Sequence, residues 1–545
     1  MTAKSVSRSN SRFWETYEFI IPLALFALFL ALTLPGISWG APKIWHPDEI
    51  VYIARDALHG ATNFDDSNFN HPHLPIYMMI GLGKIVLALG QTDREVLIAA
   101  RVLSAVLMGF TVVLAYFIPR RMGYNAAVSG LSGLLAVSIN AMSHYGRFAH
   151  NDTFVTFFTT LTIFLLVLHK TSDHRGWLYA AFFAAGMAVS SKYSAISLVI
   201  LPGILYLWSM RNGLRGHTLR ILETLFIGGV LTYLGYAVGT PKALFWMTFY
   251  FKRLIPALLY NANYGRQPGS VRGVLGQYSV FEGGVGLPLY LLFVAALLWG
   301  AYVVWRAYRA RSNAELLRGI LLLSILVIDL PIMTSYNYPI RFFLPLMPLF
   351  AILSALFIND LYRLVKQTGN TLHPRLIGAG LTILLLFSFA RVISVMLLFL
   401  NDSRIPATAF IASLPAGTSL EHTLYPPGIP REHFEREHNY PIFFRKSPDQ
   451  PFPTNKNYVF NAGEAGLDDR LTDYLVVDNF TVDRLADPYI CESMQVECDF
   501  FKQLKTGGSN HYRLLAEFTY SLPPFLPQIQ ISFVNPEIRI YERIQ

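Results

Sequence analysis

Leu74-Pro75-Ile76-Tyr77-Met78-Met79-Ile80-Gly81-Leu82-Gly83-Lys84-Ile85-Val86-Leu87-Ala88-Leu89 decides the topology of this chain. The run is apolar, but shorter than the roughly 20 residues of a crossing helix, and it carries two glycines and a lysine. Further apolar runs lie at about 19–37, 96–118, 126–142, 153–168, 177–189, 195–210, 221–238, 287–305, 316–334, 342–358 and 376–400. If 74–89 crosses as well, Arg120-Arg121 falls outside. So do Lys170 and Arg175; Arg211, Arg215 and Arg220; Arg306, Arg309, Arg311 and Arg318; and Arg363, Lys366 and Arg375. That inverts the excess of Lys and Arg that cytoplasmic loops carry. If 74–89 instead lies in or dips into the outer interface, about eleven spans remain and every one of these loops is cytoplasmic.

Composition agrees with a polytopic α-helical membrane protein. Of 545 residues, 53% are hydrophobic and only 14% are charged, where a soluble domain averages about 25% charged. The formal charge of +9 would suggest nucleic acid in a soluble protein; here it reads as topology-setting loops, with no nucleic-acid partner. No internal repeat, zinc-type cysteine spacing, P-loop or dinucleotide fingerprint is present. Lys4, Arg8 and Arg12 precede the first apolar run like the start of a signal peptide. The run is longer than a usual signal core and no small-residue cleavage site follows, so it reads as a retained span.

The expected organisation is a cytoplasmic 1–18, a membrane domain over 19–400 with a first outer loop at about 40–95, and an outer domain over 401–545. The last of these is polar and Pro-rich. Its strand-like runs at 474–477, 512–518 and 538–541, and a helix capped near Asp402-Ser403, predict a small α/β fold. It holds both cysteines, Cys491 and Cys498; an oxidising compartment permits a disulfide, and free thiols are the equal alternative.

This topology gathers Asp48, Glu49, His71, His73, Arg147, Asp152, Lys192 and Arg341 at one membrane surface, where charge is costly. Carboxylates and cations at one depth suit sugar transfer from a lipid phosphate. A carboxylate takes the acceptor hydroxyl's proton, and Arg or Lys stabilises the departing phosphate.

Asp48-Glu49-Ile50-Val51-Tyr52-Ile53-Ala54-Arg55 resembles the Asp-Glu-x-x-Tyr-x-x-x-Arg pattern in the first outer loop of GT-C glycosyltransferases. The protein O-mannosyltransferase and aminoarabinose transferase group, with the RgtA/B/C/D-like enzymes, is the most similar. His71-Pro72-His73-Leu74-Pro75 resembles that group's His/Lys-Pro-Pro-Leu segment, with His73 at the second proline and His71 in place of lysine. Arg147-Phe148-Ala149-His150-Asn151-Asp152, Ser191-Lys192-Tyr193, Arg341-Phe342-Phe343-Leu344-Pro345 and Asn535-Pro536-Glu537-Ile538-Arg539-Ile540-Tyr541 also look like family segments.

The resemblance implies a GT-C fold and a polyprenyl- or dolichyl-phosphate sugar donor. It implies transfer to a protein, lipid or glycan hydroxyl outside the cytoplasm, with inversion, most readily at a bacterial inner membrane. Asp48 becomes the general base. Glu49 orients it or binds the acceptor, and Asp152 positions the acceptor or holds a cation. Arg147, Lys192, Arg341 and His71 become donor-phosphate ligands. No metal site is assigned, although a divalent cation stays open as a cofactor. Each residue also has a plainer reading. Asp48 and Asp152 can cap helices, Glu49 can suit a helix dipole, and Arg147, Lys192 and Arg341 can anchor at the interface. His71 and His73, around a proline, share no helix face and lack a third ligand. Asp65-Asp66 reads as solvated loop, and Asp329, within a span, as a structural hydrogen-bond partner. The competing function is a transporter or flippase of a lipid-linked precursor. Such a protein places polar groups near mid-membrane, whereas this chain gathers them at one face.

Overall fold

The computed structural model describes residues 18–61, 71–210, 217–263, 271–310, 312, 315–336, 338–367, 372–440 and 472–544. Lys4, Arg8, Arg12, Asp65-Asp66, Arg211, Arg215 and Arg311 lie outside these. Two compact units make up the chain: residues 1–37 with 48–393, and residues 38–47 with 394–545.

Eight helical segments among the described residues are long and apolar enough to cross a membrane: Asp93–Arg121, Asn151–Ser172, Tyr193–Met210, Thr218–Gly239, Leu287–Arg309, Leu316–Thr334, Ile340–Gln367 and Pro374–Ala412. The chain is a multi-pass membrane protein. The remaining three expected spans form shorter helices, Ile20–Thr33, Ala126–Val137 and Arg175–Ser191. The first two stops have a local cause. Ile20–Thr33 ends just before Pro35 and Gly36, the latter at φ 81°. After Ala126–Val137 the Ser138 hydroxyl donates to Leu135 O at 2.8 Å, and the separate helix Asn140–Tyr145 follows. Leu74–Ala88 has 15 residues, a rise of about 23 Å against a hydrocarbon core of about 30 Å.

Asp93–Arg121 opens on a capping box, Thr92 with Glu95, and closes on Arg120 and Arg121, so both ends suit the helix dipole. Asn151–Ser172 likewise starts on Asp152 and ends on His169 and Lys170. Its buried Thr156, Thr160 and Thr162 hydroxyls donate to carbonyls four residues back at 2.7–2.8 Å, so none of these hydroxyls is stranded in apolar surroundings.

Arg175–Ser191 and Thr218–Gly239 touch backbone to backbone. A Cβ on Gly186 would stand 2.0 Å from Thr232 O, and one on Gly235 2.1 Å from Phe183 O. This contact sets the position of Lys192, the next residue after the first of these helices. Gly186→Ala should therefore cost about 1–3 kcal/mol by forcing the helices apart. The melting temperature of the purified protein reads this, with Gly229→Ala, which meets nothing within 4 Å, as a silent control.

The second unit is a mixed five-stranded sheet in the order β2-β1-β3-β5-β4. The strands are β1 (Ser419–His422), β2 (Arg436–Asn439), β3 (Tyr474–Asp478), β4 (Tyr512–Phe518) and β5 (Ile538–Arg543). β1 pairs in parallel with β2 and β3, while β5 runs antiparallel to β3 and β4. The three strand-like runs form β3, β4 and β5. β1 and β2 have four residues each, too few for a readable alternation. Helix Arg404–Ala412 follows Asp402, whose Oδ1 accepts from Arg404 N at 3.0 Å. Asp402 also pairs with the buried Arg404 guanidinium at 2.8 Å and accepts from Trp39 Nε1 at 2.9 Å. Cys491 and Cys498 form a disulfide, Cα atoms 5.5 Å apart.

Candidate active site

Four charged side chains from four separate elements of the first unit meet. Asp48 lies just ahead of helix Val51–Leu58, and Asp152 is in the first turn of Asn151–Ser172. Lys192 joins Arg175–Ser191 to the 3-10 turn Tyr193–Val199, and Arg341 sits in the 3-10 turn Ile340–Leu346. Arg341 Nη1 pairs with Asp48 Oδ2, while its Nε stands 4.0 Å from Asp152 Oδ2. Lys192 Nζ pairs with Asp152 Oδ1 and lies 4.0 Å from the centre of the Phe342 ring. His150 Nδ1 is 2.5 Å from Asp152 Oδ2. Arg341 therefore bridges two carboxylates that are far apart in sequence. Its Nε is buried and makes no hydrogen bond among the described residues, so Asp152 holds that side of the guanidinium by charge alone.

Exposure separates the two acids. The Asp48 side chain is 35% exposed and that of Asp152 only 1%. A base must reach its substrate, and only Asp48 meets that condition. Asp152 is enclosed by cations and acts on Lys192 and Arg341. Burial pulls the Lys192 ammonium below its usual pKa, against the opposing charge of Asp152.

His71 belongs to the same neighbourhood. Burial first, then His150, Lys192 and Arg341, push its imidazole down to about 4. It is neutral at pH 7 and offers a hydrogen bond but no charge. Between pH 6.5 and about 4 the unfolded chain binds this proton and the folded protein does not, so the folded state loses stability as pH falls through that window. Relative to His71→Gln, the wild-type melting temperature should therefore drop on going from pH 7 to pH 5.

Glu49 is held differently. It is fully buried, and Arg101 donates to it twice, Nε to Oε1 at 2.8 Å and Nη2 to Oε2 at 2.7 Å. Ala149 N also donates to Oε1 at 2.9 Å, and Ile50 N returns a bond to Ala149 O at 3.0 Å. This knot ties the Asp48 loop to the segment that carries Asp152. Arg147 is not brought to the four-charge cluster. It is 1% exposed and donates to Ser143 O at 2.7 Å, Ser143 Oγ at 2.8 Å, Leu32 O at 2.5 Å and Pro35 O at 3.3 Å. Asp329 accepts twice from Gln277 Nε2, at 3.1 and 3.3 Å, and His73 packs edge-on to Tyr77. Among the described residues no three His, Cys, Asp or Glu side chains gather in a way that could hold a metal ion.

Sequence reasoning missed Arg101 and Tyr145. Arg101 had a signal, since it is a lone cation inside a long apolar run. Tyr145 gave none. It is buried at the end of Asn140–Tyr145, within electrostatic reach of Arg341, Asp152 and Asp48, and burial raises its phenol above the usual range.

ArnT from Cupriavidus metallidurans, in a structure bound to undecaprenyl phosphate, superposes with a TM-score of 0.52 at 14% identity, covering 97% of this chain and 98% of that one. The oligosaccharyltransferase of Archaeoglobus fulgidus gives 0.52 at 12% identity, over 96% of this chain and 88% of that one. The chain has the GT-C fold. Within the GT-C frame, the family model described as dolichyl-phosphate-mannose-protein mannosyltransferase matches residues 90–261. That stretch contains Asp152 and Lys192 but neither Asp48 nor Arg341. An undecaprenyl phosphate-alpha-4-amino-4-deoxy-L-arabinose arabinosyl transferase of Pseudomonas fluorescens is 28% identical over 244 residues, 42% of this chain and 41% of that protein. The match thus spans less than half the length of that relative.

Proposed function

We propose that this protein is an integral-membrane glycosyltransferase. It moves a sugar from a polyprenyl-phosphate donor to an acceptor hydroxyl on the extracytoplasmic side of a bacterial inner membrane. The observation that carries this reading is the Arg341 bridge between accessible Asp48 and buried Asp152, with Lys192 alongside. The GT-C fold and a relative named for an undecaprenyl-phosphate sugar support the donor class. Sidedness is supported by helix polarity. Asn151–Ser172 and Ile340–Gln367 both start at the cluster and finish in basic residues, Lys170 and Lys366, which belong on the cytoplasmic side. The disulfide in the second unit suits an oxidising compartment.

In this reaction the acceptor oxygen attacks the anomeric carbon from the face opposite the phosphate. Asp48 takes the hydroxyl proton as the new C–O bond forms. The bond from the anomeric carbon to the phosphate oxygen breaks, and the phosphate leaves with the electron pair. Charge grows on that oxygen during the step, so a cation there binds the transition state more strongly than the ground state. Arg341 and Lys192 supply that charge, and His71 adds a neutral hydrogen bond. Asp152 holds both cations in place. Glu49 and Arg101 set the register of the two acidic segments, and Arg147 closes off backbone carbonyls.

Deleting the gene should remove one sugar from an envelope glycan or glycolipid. Mass spectrometry checks this, with restoration by the wild-type gene and not by the Asp48→Asn form. An unchanged set of glycans would count against the proposal.

A further inference from the structure

A cavity of about 160 Å³ lies in the sheet domain between β3, the turn after it, helix Gln495–Thr506 and β5. Its rim carries Asn479, Asp483, Lys505, Glu537 and Arg539, none of which the transfer reaction uses.

Four of these polar groups are fixed in advance. Arg539 Nε pairs with Glu537 Oε1 at 2.6 Å. Asn479 Oδ1 accepts from Glu537 N at 2.9 Å, and its Nδ2 donates to Asp483 Oδ2 at 3.0 Å. Planar amide, carboxylate and guanidinium groups thus stand at one opening with little conformational entropy left to lose. The charges cancel, Asp483 and Glu537 against Lys505 and Arg539, so neither an anion nor a cation is favoured overall. The floor is apolar, because Val477, Phe501, Leu504 and Tyr541 belong to the core of the domain. The volume equals that of about five waters, enough for one small ring and too little for a chain.

A neutral ligand with hydroxyls at its edge and an apolar face matches both halves of this cavity. A sugar ring has that chemistry. We propose that the cavity binds one neutral sugar residue of the acceptor, which makes the acceptor a glycan or glycolipid. The identity of the acceptor rests on the transferase reading; the binding of sugar does not.

The test is saturation-transfer NMR on the full-length protein in nanodiscs with the methyl glycosides of glucose, galactose, mannose and N-acetylglucosamine. At least one should give a signal, and methyl glucuronide should bind more weakly than its neutral counterpart. Val482→Trp, which fills the cavity, should abolish the signal. Should the tryptophan destabilise the domain, Asp483→Ala/Lys505→Ala alters only exposed positions and should weaken binding about tenfold, the loss of one or two hydrogen bonds. Asp48→Asn should bind the glycoside as wild type does, which separates this cavity from the reaction centre. No signal with any of the four neutral glycosides, or a signal that survives both cavity variants, would overturn the proposal. Loss of transfer with sugar binding intact would instead strike only the transferase reading.

Discussion

Asp48→Asn should slow sugar transfer about 10²–10⁴-fold, the usual contribution of a positioned general base. Asparagine keeps the shape and one oxygen toward Arg341 but cannot take the acceptor's proton. The buried neighbours cannot substitute. Asp152 is 1% exposed and paired with Lys192, and both Glu49 oxygens are engaged by Arg101. The loss should fall on kcat, with KM for donor changed little, since the variant leaves in place Arg341 and Lys192, the proposed phosphate ligands. Steady-state kinetics separates the two parameters. A raised KM with kcat intact would move Asp48 from proton transfer to donor binding.

Arg101→Ala should cost about 3–5 kcal/mol of stability, because it strands the Glu49 carboxylate in a fully buried position. The Glu49–Arg101 pair is 0% and 1% exposed, so solvent cannot compensate. Glu49→Ala/Arg101→Ala should recover part of the loss, since no lone charge is then left behind. Denaturant titration in detergent reads both. Transfer should fall in the double variant, because Ala149 N loses its Glu49 acceptor and only the Ile50 N–Ala149 O bond then ties the Asp48 loop to the Asp152 segment. Equal stability of wild type and Arg101→Ala would mean that Glu49 finds another partner.

Much of this was legible in the chain. The apolar runs and the basic loops between them carry a period and a charge bias that length alone can read, and eight of the runs became long helices. Asp48, Asp152, Lys192 and Arg341 stood out as charges at helix ends, and they meet. What sequence could not settle was the division of labour. Asp48 and Glu49 are adjacent, yet one side chain is half-open and the other sealed, a difference set by the distant Arg101. Arg147 resembles a phosphate ligand in its motif, but its guanidinium has carbonyls within reach at Leu32, Pro35 and Ser143. The short strands β1 and β2 are defined by their pairing with β3 and each other, not by any pattern of their own.

Sugar transfer itself is measured most directly by incubating purified protein with a radiolabelled polyprenyl-phosphate sugar and an envelope glycolipid fraction. The label should pass covalently to the acceptor with the anomeric centre inverted, and Asp48→Asn should leave it on the lipid phosphate. Label that crosses a proteoliposome membrane without any covalent product, or transfer by Asp48→Asn at the wild-type rate, would contradict the assignment of Asp48 and its cluster to glycosyl transfer.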